Sequence, residues 1–146
     1  MCVRYTLHKD DAALAAIAQA LARKLAPPEW AKPCYNVTLT HVMPVVAAGA
    51  EGPEVRGMML GLVPFYERKK PQMRMLPNAK AETAAGSAAF RQAVAKRRCL
   101  VPANGFYEWK TVGKLKLPHL FTLHGEEPLA FAGIWEPAEG KLPEPY

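Results

Sequence analysis

Cys2 stands directly behind the initiator methionine, and Arg4 lies two residues beyond it. A free cysteine usually behaves as a small hydrophobe, so Cys2 can be no more than the apolar start of a strand. Position 2 also carries an option that internal positions lack. Removal of Met1 would leave a thiol and a free α-amine on neighbouring carbons. Side chains two apart on a strand share a face, so the Arg4 guanidinium would stand beside that thiol, favour thiolate and attract phosphate.

Glu108 is the second candidate. In "CLVPANGFYEWK", strand alternation puts Phe106, Glu108 and Lys110 on one side and Tyr107 and Trp109 on the other. A carboxylate desolvated among aromatics has a raised pKa and suits general acid–base work. The plain alternative is a surface glutamate paired with Lys110 or a neighbouring strand. Asn78 follows a proline in "LPNAKAET", where its amide can fix a ligand or simply form a turn. His8, His41, His119 and His124 form no metal-ligand spacing with a cysteine or carboxylate, so neither metal nor cofactor is expected. A Cys–His nucleophilic pair stays open, with no histidine singled out. No P-loop, GxSxG or HExxH motif occurs.

The elements that must hold these residues are mostly short strands. "CYNVTL", "VMPVVAA" and "VRGMMLGLVPF" are β-rich and broken by glycine and proline. Asn104-Gly105 suits a tight hairpin turn, and "PHLFTLHGEEPLAFAGIW" reads as a second hairpin turning at Gly125. Two helices interrupt the strands. Leu14, Ile17, Leu21 and Leu25 recur at helical spacing within residues 9–30, with Asp10 or Asp11 as cap and Pro27-Pro28 as stop. A second helix is predicted over residues 87–98, with Ser87 as N-cap and Phe90 and Val94 facing inward. The fold class expected is α+β, with a mainly antiparallel, barrel-like sheet and a few flanking helices.

Composition sets the bounds. The 146 residues are half hydrophobic, enough for one domain with a buried core. Fourteen prolines argue against a helix bundle. No stretch reaches the roughly 18 apolar residues of a membrane span. Three cysteines, far apart and without a CxxC pair, argue against a disulfide framework and point to a reducing cytoplasm. The net charge is +6, but its distribution says more. Residues 68–98 hold nine bases and one acid, while residues 125–146 hold five acids and one base. Such a block fits a polyanion partner or a solvated face.

"MCxRY", "YNV", "GLVPF", "NAKAET", "RRCLVPANGFYEWK" and "EPLAFAGIWE" stand here in the order they have in the SRAP family (SOS response-associated peptidase-like proteins). The chain resembles that family over about residues 1–136. The resemblance implies a single SRAP-like domain across 1–146 that shields abasic sites in single-stranded DNA by covalent crosslinking. The expected protein is a cytoplasmic monomer, nucleoid-associated if bacterial, with no membrane partner.

It also implies roles. Cys2 is the nucleophile: its α-amine condenses with the C1′ aldehyde of an opened abasic sugar, and its thiol closes a thiazolidine ring. Asn78 orients Cys2 and the DNA end, and Glu108 is the acid–base. Arg4, Asn36 and Lys80 contact phosphate, Lys80 as a point charge where the family often has arginine. Two further readings stay open: a thiol autopeptidase using Cys2, and a non-catalytic single-stranded DNA-binding module.

The chain departs from the pattern in several places. Val3 stands where glycine is usual, and "TLTH" replaces "APTQ". Leu60 replaces a base-stacking tryptophan, with stacking worth roughly 1–3 kcal/mol per base. The family's later segment with a catalytic histidine does not occur before Tyr146, so a fragment of a longer chain is expected.

Overall fold

The computed structural model describes residues 3–70 and 72–137. Cys2, the expected nucleophile, lies outside the described residues. The elements run β1 (Tyr5–Leu7), α1 (Asp10–Ala20), β2 (Cys34–Val37), β3 (Val42–Gly49), β4 (Gly52–Met59), α2 (Ala81–Ala84), α3 (Arg91–Lys96), β5 (Arg98–Ala103), β6 (Gly105–Val112), β7 (Leu115–Phe121) and β8 (Leu129–Ile134).

The strands form two four-stranded sheets, ordered β2-β1-β6-β7 and β4-β3-β5-β8, with every strand pairing antiparallel. The β-rich antiparallel expectation therefore holds in its coarse form. The barrel does not: the two sheets are separate and neither closes. Among the described residues no helix is long and apolar enough to cross a membrane.

The core lies between the sheets. Tyr5, Leu7, Val37, Met43 and Ala103 are buried together, with Leu60, Phe106 and Phe131 packed against them. Rings stitch one sheet to the other. Phe131 of β8 meets Tyr5 of β1 and Phe106 of β6 edge-on, each at 5.9 Å, and Phe106 stacks on Phe121 of β7 at 5.4 Å. Such geometries add about 0.5–1.5 kcal/mol per pair beyond area burial. A second cluster seats α1 on the other sheet through Leu14, Ile17 and Val46. The β-branched run of β3 explains its near-continuous burial. β5 reaches only Val46 and Ala47 of β3, so the stretch around Pro44 is paired on one side alone, where a proline is tolerated.

Both expected hairpins are corrected. β5 and β6, on either side of Asn104, belong to different sheets, and so do β7 and β8 around Gly125. The true hairpins join β3 to β4 through Gly49↔Gly52 and β6 to β7 around Gly113, which has a φ of 60°. Asn104 is instead a clasp. Its Oδ1 accepts the backbone N–H of His8 at 2.8 Å and of Lys9 at 2.9 Å, and its own N–H donates to the Thr6 carbonyl at 2.8 Å. Gly105 serves close approach: a Cβ there would sit 2.7 Å from the Phe121 carbonyl oxygen.

Helix α1 ends earlier than its apolar stripe. Ala22 takes a left-handed φ of 50°. The Ala22 N–H donates to the Gln19 carbonyl at 3.1 Å, and the Arg23 N–H to the Ala18 carbonyl at 2.9 Å. This is a Schellman motif that satisfies carbonyls the helix leaves open. Lys9 is the N-cap residue, with no side-chain capping bond, rather than either aspartate. The second expected helix is short. It covers only Arg91–Lys96, with Phe90 as N-cap, while Ser87 accepts from the Ala89 N–H within the preceding turn at 3.3 Å.

Candidate functional site

Two of the expected site residues, Arg4 and Asn36, meet at the start of β1, and strand pairing is the reason. The Tyr107 N–H donates to the Arg4 carbonyl at 3.0 Å, which carries the β1–β6 register past Tyr5↔Phe106. On this outer surface Arg4 Nη1 donates to Asn36 Oδ1 at 3.2 Å, and the guanidinium lies 5.8 Å from the centre of the Trp109 ring. The Tyr107 hydroxyl donates to the Tyr35 carbonyl at 3.0 Å and ties β6 to β2. His8 stacks on the Tyr35 ring at 4.7 Å, and Tyr35 remains 65% exposed. The patch therefore offers a cation, an amide and a largely exposed tyrosine ring. These are groups that take up phosphate and flat unsaturated rings.

A cavity of about 760 Å³ opens beside this patch. Val3, Arg4 and Asn78 line it, together with apolar Leu60, Phe90 and Trp135. Phe90 and Val94 face inward, as their spacing predicts, and what they face is this cavity. Asn78 is half-buried in the loop after the Leu62↔Leu76 bridge, which pins that loop against the segment following β4. The structure thus brings Arg4 and Asn78 to one cavity and Asn36 to Arg4. Lys80, two residues past Asn78, is exposed at the N-cap of α2, with no side-chain capping bond.

Glu108 is half-buried on β6, level with His119 of β7. It is not among the residues lining the cavity. The same register carried outward brings Glu108 level with Val3, the first described residue.

The basic block divides in two. Arg68 and Arg97 both turn onto Glu136, Arg68 at 2.9 Å, and Arg97 Nε also donates to the Trp135 carbonyl at 3.1 Å. With side chains 9% and 20% exposed, these arginines brace the far wall of the cavity. Lys70 pairs with Glu67 at 2.6 Å. Lys69, Arg74, Lys80, Arg91, Lys96 and Arg98 are exposed and free of these three ion pairs, so they can present charge to a partner.

Sequence reasoning missed Tyr35, Trp109, His8 and Glu136. Alternation had already put Tyr107 and Trp109 together on one face; which face meets Arg4 depends on the pairing of β1 with β6. Of the internal thiols, Cys99 is buried, and desolvation pushes it up to about 11, too high for an efficient nucleophile at neutral pH. Among the described residues no three His, Cys, Asp or Glu side chains cluster as metal ligands.

The chain is 31% identical to the abasic site processing protein YoaM of Bacillus subtilis across 93% of its own length and 60% of that relative. It is 30% identical to YobE of the same organism, named likewise, across 97% of this chain and 66% of the relative. A solved protein of Bacteroides thetaiotaomicron superposes with a TM-score of 0.71 at 26% identity, covering 91% of this chain and 59% of that one. The chain therefore spans about three-fifths of the length of these relatives. The family model for SOS response associated peptidase (SRAP) matches residues 1–145, and the chain belongs to that family.

Proposed function

We propose that this protein recognises abasic sites in single-stranded DNA and captures them covalently through Cys2. The observation that carries the reading is that Arg4 and Asn78 line one cavity, with Asn36 hydrogen-bonded to Arg4, at the start of β1 and immediately after Cys2 in the chain. The matched relatives are named abasic site processing proteins, which supports the abasic-site part of this reading.

In this reading Met1 is removed and Cys2 is N-terminal. Its amine attacks the C1′ aldehyde of the opened sugar, and water leaves as the imine forms. The thiol then adds to the same carbon and its proton passes to nitrogen, closing a thiazolidine. Tethering makes that second step intramolecular, with the large advantage such steps carry. Asn78 orients the terminus and the DNA end, and Glu108 exchanges protons during ring opening and imine formation. Arg4, Asn36 and Lys80 hold phosphates on either side. Leu60 cannot stack a base; the rings this surface offers are Trp109, beside Arg4, and the exposed Tyr35, stacked on His8.

The test is intact mass after denaturation. Protein mixed with a single-stranded oligonucleotide bearing one abasic site should give an adduct equal to the sum of the two minus one water, and an undamaged oligonucleotide should give none. Cys2→Ser keeps the amine, so only a reversible imine should remain, trapped solely when a hydride reductant is added. An adduct that survives unchanged in Cys2→Ser would overturn the assignment. Binding that is salt-sensitive but never covalent would favour a simple DNA-binding module, and DNA-independent release of a peptide would favour a peptidase.

A further inference from the structure

A second thiol, Cys34, has its own imidazole. Cys34 Sγ, at the start of β2, sits 3.9 Å from His41 Nδ1, within reach of a hydrogen bond to sulfur. Cys34 is half-buried, with part of its surface open, in contrast to buried Cys99.

The turn that delivers His41 is held by three backbone bonds. The Thr40 N–H donates to the Leu60 carbonyl at 2.9 Å, the Leu60 N–H to the His41 carbonyl at 2.9 Å, and the His41 N–H to the Thr38 carbonyl at 3.2 Å. Within it Thr40 has a φ of 71°, a conformation costly for a β-branched residue and retained only when its surroundings enforce it. On the other side Thr6 Oγ1 donates to the Cys34 carbonyl at 3.3 Å. Thiol and imidazole are thus both held in place, and Cys34 and Leu60 both pack against the apolar cluster between the sheets.

We propose that Cys34 and His41 form a nucleophilic pair that adds to α,β-unsaturated carbonyl compounds. His41 Nδ1 takes the thiol proton as sulfur bonds to the β-carbon. The carbon–carbon π bond breaks, its electron pair moves to the α-carbon as an enolate, and the imidazolium returns the proton there. The net change is addition of S–H across the double bond, with no oxidant and no leaving group. Acyl transfer fits less well. The Thr40 and His41 amides, which could have cradled an oxyanion, are already bonded to carbonyls. The apolar surface beside the sulfur suits a carbon–carbon double bond. This pair is independent of the chemistry proposed for Cys2.

The test uses the full chain carrying Cys2→Ser, so that the N-terminal thiol consumes no reagent, with N-ethylmaleimide as the probe. Peptide mapping after one equivalent should find the label on Cys34 and not on Cys99. Cys34 should react at least tenfold faster in the native protein than in the same protein unfolded in urea. A His41→Gln variant with an unchanged melting temperature should bring the native rate down to the unfolded one. A native rate no higher than the unfolded rate overturns the proposal, and so does a native rate unaffected by His41→Gln. Should His41→Gln fail to fold, the native-versus-unfolded comparison in the parent decides alone.

Discussion

Asn104 offers the sharpest test of how this fold is held at its working end. Its amide is 3% exposed, and it holds the exit of β1 against the start of α1 through the His8 and Lys9 N–H groups. Its Nδ2 has no hydrogen-bond partner among the described residues, so the work is done by the oxygen. Asn104→Ala removes two bonds worth about 1 kcal/mol each and leaves two partly buried donors unsatisfied, for a total near 3 kcal/mol. For a chain of this length that corresponds to a fall in Tm of about 6–12 °C. Urea unfolding followed by tryptophan fluorescence should show a lower midpoint with an unchanged slope. Asn104→Asp keeps the oxygen that accepts both bonds and puts a negative charge at a helix N-terminus, where it is favoured, so at neutral pH it should lose less than the alanine variant. A loss under 1 kcal/mol for alanine, or equal losses for alanine and aspartate, would refute the oxygen-clasp argument.

Three further outcomes are expected. Ala22→Gly should raise stability by about 1 kcal/mol in the same unfolding assay, because glycine takes the left-handed conformation without a Cβ penalty. Arg4→Ala, at an exposed position, should leave stability within about 0.5 kcal/mol. Titrations of single-stranded DNA at several salt concentrations should then show about tenfold weaker affinity and a salt slope shallower by about 0.7, the share of one phosphate contact. Stability should also fall with alkaline pH. Burial raises the Cys99 thiol from 9.0 to about 11, so its contribution is full below pH 9 and is lost as pH rises through about 11. Burial also raises Tyr5, which acts in the same direction at higher pH. The Cys99 share is on the order of 2 kcal/mol, and unfolding free energies measured from pH 8 to 11 should show the decline shrinking in Cys99→Ala.

Much of the local structure was legible in the residues alone. The apolar stripe of Leu14 and Ile17 predicted α1 and its buried face, because helical periodicity is a property of adjacent sequence. Alternation along β6 put Phe106 and Glu108 on one side and Tyr107 and Trp109 on the other, because a strand's period depends on the backbone alone. The motifs that marked the family were likewise written in order along the chain.

Other features depended on residues far apart in sequence. Asn104-Gly105 has the composition of a hairpin turn, yet its partners are His8, Lys9 and the Phe121 strand, because β5 and β6 go to different sheets. The early end of α1 at Ala22 carried no glycine to announce it; backbone bonds of the Schellman motif hold a costly conformation there. Arg68 and Arg97 read as part of a charged block, and only folding brought Glu136 to both of them. The meeting of Arg4 with Asn36 follows from how β2 lies beside β1. Sequence by itself determined which groups this protein carries and the local period on which each sits. Tertiary structure decided which of them meet, since contact between distant residues is set by long-range pairing and burial rather than by any property of the neighbouring chain.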